Sequence, residues 1–297
     1  MNKLIVFLLL TLVIMPSFAQ ANIDISGTVE WDTMQIKAEV SLDLASAGVR
    51  LPSGRPQGEA LLQTGFSRLI RPGILDLQVD SSSTIADLIS RGEFSLAEAD
   101  ILVNNAHSIP PALSSDMLNM FSSYTITLSG ISSSLLNARN TDTRRPAEVM
   151  RTLNPVSSAR YTGIIIIAAE ELPVHGMRST ALPIPCLFPK IWDSSMNLIY
   201  DRSMLTSLDT GMVRYSPLQS IFQNTPSGLT PELQTIVGDR PLKIFAQGVF
   251  GINPTDLIID SSDALTIISS AENQRLLSEG KVVIILDESV LRKGFNP

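Results

Sequence analysis

The residues able to do acid–base or nucleophilic chemistry are few. Beyond residue 21 the chain holds two histidines, His107 and His175, and one cysteine, Cys186. A Ser-His-Asp site needs a histidine within hydrogen-bond reach of a serine and oriented by a carboxylate. No G-x-S-x-G elbow is present to display such a serine. His175 precedes Cys186 by eleven positions without a cysteine-protease signature around either, and His107 lies just before Pro110-Pro111 in a loop-like setting. Cys186 reads as a small buried hydrophobe, with a reactive thiol or an intermolecular bridge as the sharper alternative.

Metal chemistry is equally thin. The sequence contains no H-E-x-x-H, no C-x-x-C and no Asp-rich calcium loop. Asp260 and Asp263 read as helix-start carboxylates answering the helix dipole. Glu170-Glu171 reads as a solvated strand end. Gly248–Gly251 lacks the spacing of a phosphate-cradling loop. No catalytic, cofactor-binding or metal-binding residue is assigned, and no cofactor is expected. Binding and building are then the leading readings, with hydrolysis as the third.

Residues 1–21 read as a cleavable secretory signal. Lys3 gives the positive start, Leu4 to Met15 the apolar run, and Ala19-Gln20-Ala21 the small-residue cleavage site. Cleavage is expected after Ala21, with Ala19 as second choice; an uncleaved anchor is the alternative. No cysteine near residue 21 invites lipid attachment, and no later stretch is long and apolar enough to cross a bilayer, which takes about 20 residues. The expected compartment is the periplasm. The chain carries 22 Lys and Arg against 29 Asp and Glu, a net charge of −7, and loss of Lys3 takes it one unit further. That balance argues against a duplex nucleic-acid binder. A single cysteine leaves an exported chain without an internal disulfide, so its cores must carry stability.

Two domains of α+β class, mixed sheets with packed helices, are expected: residues 22–137, a linker at 138–159, and residues 160–297. The linker is polar, holds Pro146 and Pro155, and is locally basic through Arg139, Arg144, Arg145 and Arg151. In the first domain, residues 34–44 alternate without a miss, Met34 to Leu44 on one side and Gln35 to Asp43 on the other, which predicts a half-buried strand. Val29 and Trp31 run on the opposite phase, so a turn near Asp32-Thr33 is expected to bring both sets to one face. A helix from Pro56 to Ile70 is stopped by Pro72-Gly73. Leu75, Leu77 and Val79 predict a strand, Asp80 and its serines cap a helix to Arg91, and Ser95 caps another. A short helix at 115–121 leads into a strand through Tyr124, Ile126 and Leu128.

The second domain opens with the run Ile164–Ala169, which predicts a central strand buried on both faces. A Pro-rich loop spans 173–189, followed by strands at 187–192, 198–200 and 212–215, and a short helix from Thr230-Pro231. Strands at 242–250, 257–259 and 281–286 surround one helix running from Ala264 past Leu277 to Gly280. Leu77-Gln-Val-Asp80-Ser-Ser echoes Leu257-Ile-Ile-Asp260-Ser-Ser; shared capping chemistry accounts for it.

Tyr161-Thr-Gly-Ile-Ile-Ile-Ile-Ala-Ala, Leu187-Phe-Pro-Lys-Ile-Trp-Asp, Asn197-Leu-Ile-Tyr200, then Pro241-Leu-Lys-Ile, Thr255-Asp-Leu-Ile-Ile-Asp260 and Lys281 to Asp287 form an ordered pattern. Over about residues 160–290 it resembles bacterial envelope proteins related to flagellar assembly protein T and small outer-membrane lipoproteins. Ala168, Ala169 and Glu170 stand where that group carries a polar D-A-R-like triplet. The resemblance implies a non-enzymatic envelope protein that assembles or braces a flagellar or other envelope structure, with protein partners. Such a role predicts an exposed apolar patch. A binding module for a small molecule or cell-wall fragment predicts a concave pocket near loop 173–189. An exported hydrolase predicts His107 or His175 beside a nucleophile.

Overall fold

The computed structural model describes residues 22–138, 159–205 and 212–295. Residues 1–21, expected as a signal segment, and nearly all of the expected linker lie outside the described residues. The fold is two-domain α+β.

In the first half, β1 (Ile23–Glu30) and β2 (Gln35–Asp43) form a hairpin. Its turn places Met34 at φ +55°, and Val29 pairs with Ile36. Ile25, Val29, Ile36, Val40 and Leu42 are thereby buried on one face, while Lys37 and Glu39 stay exposed on the other. Two helices follow, α1 (Arg55–Leu69) and α2 (Arg71–Leu75). Phe66 of α1 stacks on Tyr124 at 3.9 Å between ring centroids and packs the helix layer onto the sheet. Then come β3 (Gln78–Asp80), β4 (Ser83–Thr84), α3 (Ile85–Ser90), α4 (Leu96–Asn104), β5 (His107–Ser108), β6 (Ala112–Leu113), β7 (Asn119–Thr127) and α5 (Leu128–Ala138).

In the second half the order is β8 (Ile164–Ile167), β9 (Leu172–Pro173), β10 (Thr180–Ala181), β11 (Ile191–Asp193), β12 (Leu198–Tyr200), β13 (Arg214–Pro217), α6 (Pro231–Val237), β14 (Leu242–Phe250), β15 (Asp256–Ile259), α7 (Ser261–Ile268), α8 (Ala271–Ser278), β16 (Val282–Leu286), α9 (Glu288–Leu291) and β17 (Arg292–Phe295). A seven-stranded mixed sheet runs β12-β11-β15-β14-β8-β16-β13. β8 is central and parallel to both neighbours, so its four isoleucines meet apolar layers on each face. Ile164 and Ile166 join the cluster containing α7 and α8 residues. Ile165 joins Leu233 and Val237 of α6.

Several local expectations are corrected. Pro72-Gly73 does not end helical structure: Pro72 breaks the α1 ladder but sits in the first turn of α2, where its missing N–H costs nothing. Leu75 is therefore helical, and the strand begins at Gln78. Asp80 does not cap α3. Its carboxylate takes the Ser82 amide at 3.0 Å in the β3–β4 turn, and Thr84 caps the helix in a capping box with Asp87. Residues 115–118 are a turn rather than a helix, because Asp116 accepts the Leu118 amide and the Ser114 hydroxyl, and these local bonds outcompete a helical ladder. The expected helix from 264 to 277 is two helices, since Ser270 caps a fresh start at α8. Helices α5 and α9 and strand β17 were not anticipated.

The halves exchange elements. β17 pairs antiparallel with β1, Gly27 opposite Phe295 through Glu30 opposite Arg292, and so completes the first-half sheet β17-β1-β2-β7-β5. In return, the β3–β4 hairpin is held by the second half: Leu187 and Phe188 donate their amides to Gln78 and Val79 at 3.0 and 2.8 Å, and Asn253 donates to Ser81 at 2.9 Å. Trp31 meets Tyr215 edge-on at 5.8 Å. One hydrophobic cluster runs through both halves.

Candidate functional site

The residues singled out for chemistry do not converge. His107 is exposed on β5, opposite Thr125. His175 is exposed after β9; its amide donates to the Val249 carbonyl at 2.8 Å and its ring meets Phe250 edge-on at 5.9 Å. Cys186 is 1% exposed, and burial, then the nearby Asp256 charge, pushes its thiol well above the ordinary range. Such a thiol is a poor nucleophile. Glu170 and Glu171 follow the carboxyl end of β8, and Glu171 accepts from Thr180 at 2.7 Å. Asp260 caps α7 through the Ser262 amide at 2.8 Å; the Ser262 bonds hold its carboxyl low. Burial, then the Asp260 charge, pushes Asp263 up. Among the described residues no cluster of three or more His, Cys, Asp or Glu has metal-holding geometry. Arg139, Arg144, Arg145 and Arg151 lie outside the described residues.

Sequence reasoning missed the polar centre at the junction of the halves. Asp256 opens β15 and is 1% exposed. Its Oδ2 accepts from Ser81 Oγ of the first half at 3.1 Å and from Trp192 Nε1 at 3.3 Å. Its Oδ1 accepts from the Lys190 amide and Thr255 Oγ1, both at 3.3 Å. Burial raises its pKa above the usual carboxylate value; the bonds from Trp192 and Lys190 pull the other way without reversing it. Beside it, Tyr215 Oη donates to the Cys186 carbonyl at 2.8 Å and accepts the Cys186 amide at 3.1 Å, closing both backbone groups of one buried residue. A lone Asp in an apolar strand was the only sequence signal available.

Two surface features adjoin this junction, and the Pro-rich loop 173–189 contributes to both. The Asp256 bond orients Trp192, which meets Phe250 edge-on at 5.9 Å, and Phe250 in turn meets His175. Lys190 Nζ lies 6.0 Å from the Trp192 ring centroid. On the other side, a cleft of about 750 Å³ is lined by Trp31, Leu77, Ile184, Pro185, Lys293 and Phe295, among others. A third feature lies on the α6 side of the seven-stranded sheet. Phe245, register partner of Ile167, stands 68% exposed in the middle of central strand β14.

Residues 22–134 match the family model of the N-terminal domain of Treponema pallidum Tp0624, and residues 163–288 match that of its second domain. The two halves are thus similar, in the same order, to two domains of one protein. No curated protein matches the chain.

Proposed function

We propose that this chain is an exported, non-enzymatic envelope protein whose role is structural or in assembly, with a flagellar structure as one candidate host. The interlock of the halves carries this reading. A strand given one way, a hairpin given the other and a shared core make a stiff two-domain block, suited to holding partners at a fixed spacing. The buried polar groups at the junction serve the block: Asp256 ties Ser81 to β11, and Tyr215 closes off Cys186. Exposed Phe245 on a central strand supplies an apolar contact point for a protein partner. Among the described residues no helix is long and apolar enough to cross a membrane.

The experiment is crosslinking of the tagged full chain in intact cells, followed by fractionation and mass spectrometry. The expected result is a chain beginning at Asn22 in the envelope fraction, crosslinked to envelope-complex components. A cytoplasmic chain retaining residues 1–21, or an envelope chain that crosslinks to nothing, overturns the reading. A second reading, a binding module for a small molecule or cell-wall fragment, is favoured by the cleft and by the row His175, Phe250, Trp192 beside the Pro-rich loop. Loss of binding to cell-wall fragments in Trp192→Ala, with an unchanged fold, would select it.

A further inference from the structure

The strand β17 occupies a seat built almost wholly by the other half. The Phe295 ring lies over Gly27 of β1 and Gly73 of α2. A methyl group at Gly27 would collide with the ring, and one at Gly73 would come within 2.9 Å of it. The two glycines therefore form a floor that admits an aromatic ring. The walls are acidic and the strand is basic: Arg292 pairs with Asp32 at 2.9 Å, and Lys293 pairs with Asp76. Val29 to Lys293 and Thr28 to Gly294 complete the register. The seat thus selects an extended basic-basic-Gly-aromatic segment.

The attachment of that segment is light. Four residues make the strand, and both its cations remain largely exposed, Arg292 at 57% and Lys293 at 64%. The cleft of about 750 Å³ runs alongside it, lined by Val290, Lys293 and Phe295, so one flank of the strand is open. A single four-residue helix, α9, links it to β16. Residues 289–295 also lie beyond both matched segments, which end at 134 and 288. The β1 edge lies within the first matched segment, and the strand that covers it lies outside both.

We propose that this groove is a strand-acceptor surface whose partner is a second copy of the same chain, with residues 292–295 exchanging between copies. An exchanged strand repeats every contact made within one chain, while the linking residues 287–291 must change course. Leu291 among them is buried and its carbonyl accepts the Trp31 amide at 2.9 Å, so exchange requires its release. The acidic walls and the glycine floor reject segments of other chemistry. Within one chain the tethered strand acts at an effective concentration of roughly millimolar. Exchange is therefore a minority event in dilute solution and grows with protein concentration. This goes beyond the structural role proposed above, which stands whether or not copies exchange.

Trapping by disulfide tests it. Thr28 and Gly294 are register partners, and a side chain added at Gly294 comes no nearer than 3.9 Å to Gly27 O. Two differently tagged full-length variants, Thr28→Cys and Gly294→Cys, are mixed in a glutathione redox buffer. Native Cys186 is buried and does not compete. The expected product is a covalent heterodimer whose yield rises with protein concentration. The double variant should close an internal bridge at any concentration, and an off-register mixture of Asp24→Cys with Gly294→Cys should give no product above background. Internal closure in the double variant without heterodimer in the mixture overturns the proposal, as does equal trapping in the off-register mixture. If neither the Thr28–Gly294 nor the Val29–Lys293 pair closes within one chain, the seat itself is refuted, and the proposal with it.

Discussion

Tyr215 and Asp256 concentrate the polar cost of the interior on two side chains. Tyr215→Phe leaves the Cys186 amide and carbonyl buried and unpaired, so a loss of about 2–3 kcal/mol is expected in denaturant unfolding. Asp256 is subtler. Each of its oxygens faces one N–H that can only donate, Trp192 Nε1 on one side and the Lys190 amide on the other. An amide cannot satisfy both, so Asp256→Asn is expected to lose about 1–3 kcal/mol. The pH dependence has a definite sign. Because burial raises the folded pKa above the unfolded value of 3.8, the folded state binds the extra proton. The stabilisation from that proton is complete below the unfolded value and is lost as pH rises through the folded one. The stability gap between the native chain and Asp256→Asn should therefore narrow from acid toward neutral pH. A gap that widens instead would contradict the burial argument. None of this was legible in the sequence, where Asp256 is one more carboxylate among 29 acidic residues. Its meaning comes from Ser81, which is 175 positions away.

The elements were more legible where their chemistry is local. The alternation at 34–44 became β2, the isoleucine run became central β8, and Ser95 caps α4 with Glu98 returning the bond. Ser95→Ala should lose about 1 kcal/mol in thermal or denaturant unfolding. The errors share a cause. At Pro72, Asp116 and Ser270 the sequence was consistent with two local outcomes, and packing or a side-chain bond to the backbone chose between them. The recurring Asp-Ser-Ser was the same Asx bond in two settings, a β-turn at Asp80 and a helix cap at Asp260, with Asp287 and Ser289 repeating it. Asp and Ser offer that bond wherever the chain turns, so the echo carries no evidence of duplication.

At the scale of the molecule, two matched domains behave as one body. A single hydrophobic cluster crosses the junction, and each half holds an element of the other. Unfolding should then be one cooperative transition, with tryptophan fluorescence and far-UV circular dichroism coinciding. Two separated transitions would show that the junction is weaker than its contacts suggest. Phe295→Ala should lower that single midpoint, because the ring fills the floor between Gly27 and Gly73.

The sequence by itself determined what depends on near neighbours: periodicity, caps, glycine stops at Gly92 and Gly280, the central strand and the α+β class. It also showed the scarcity of histidine and cysteine, a property of composition. Only the tertiary structure decided which half owns residues 292–295, what closes over Cys186 and where Asp256 finds its donors. Pairings of that kind join residues far apart in the chain, and such pairing leaves no periodic trace in one sequence. A four-residue basic segment ending in Phe295 looks like any solvated tail until the glycine floor that receives it is in place.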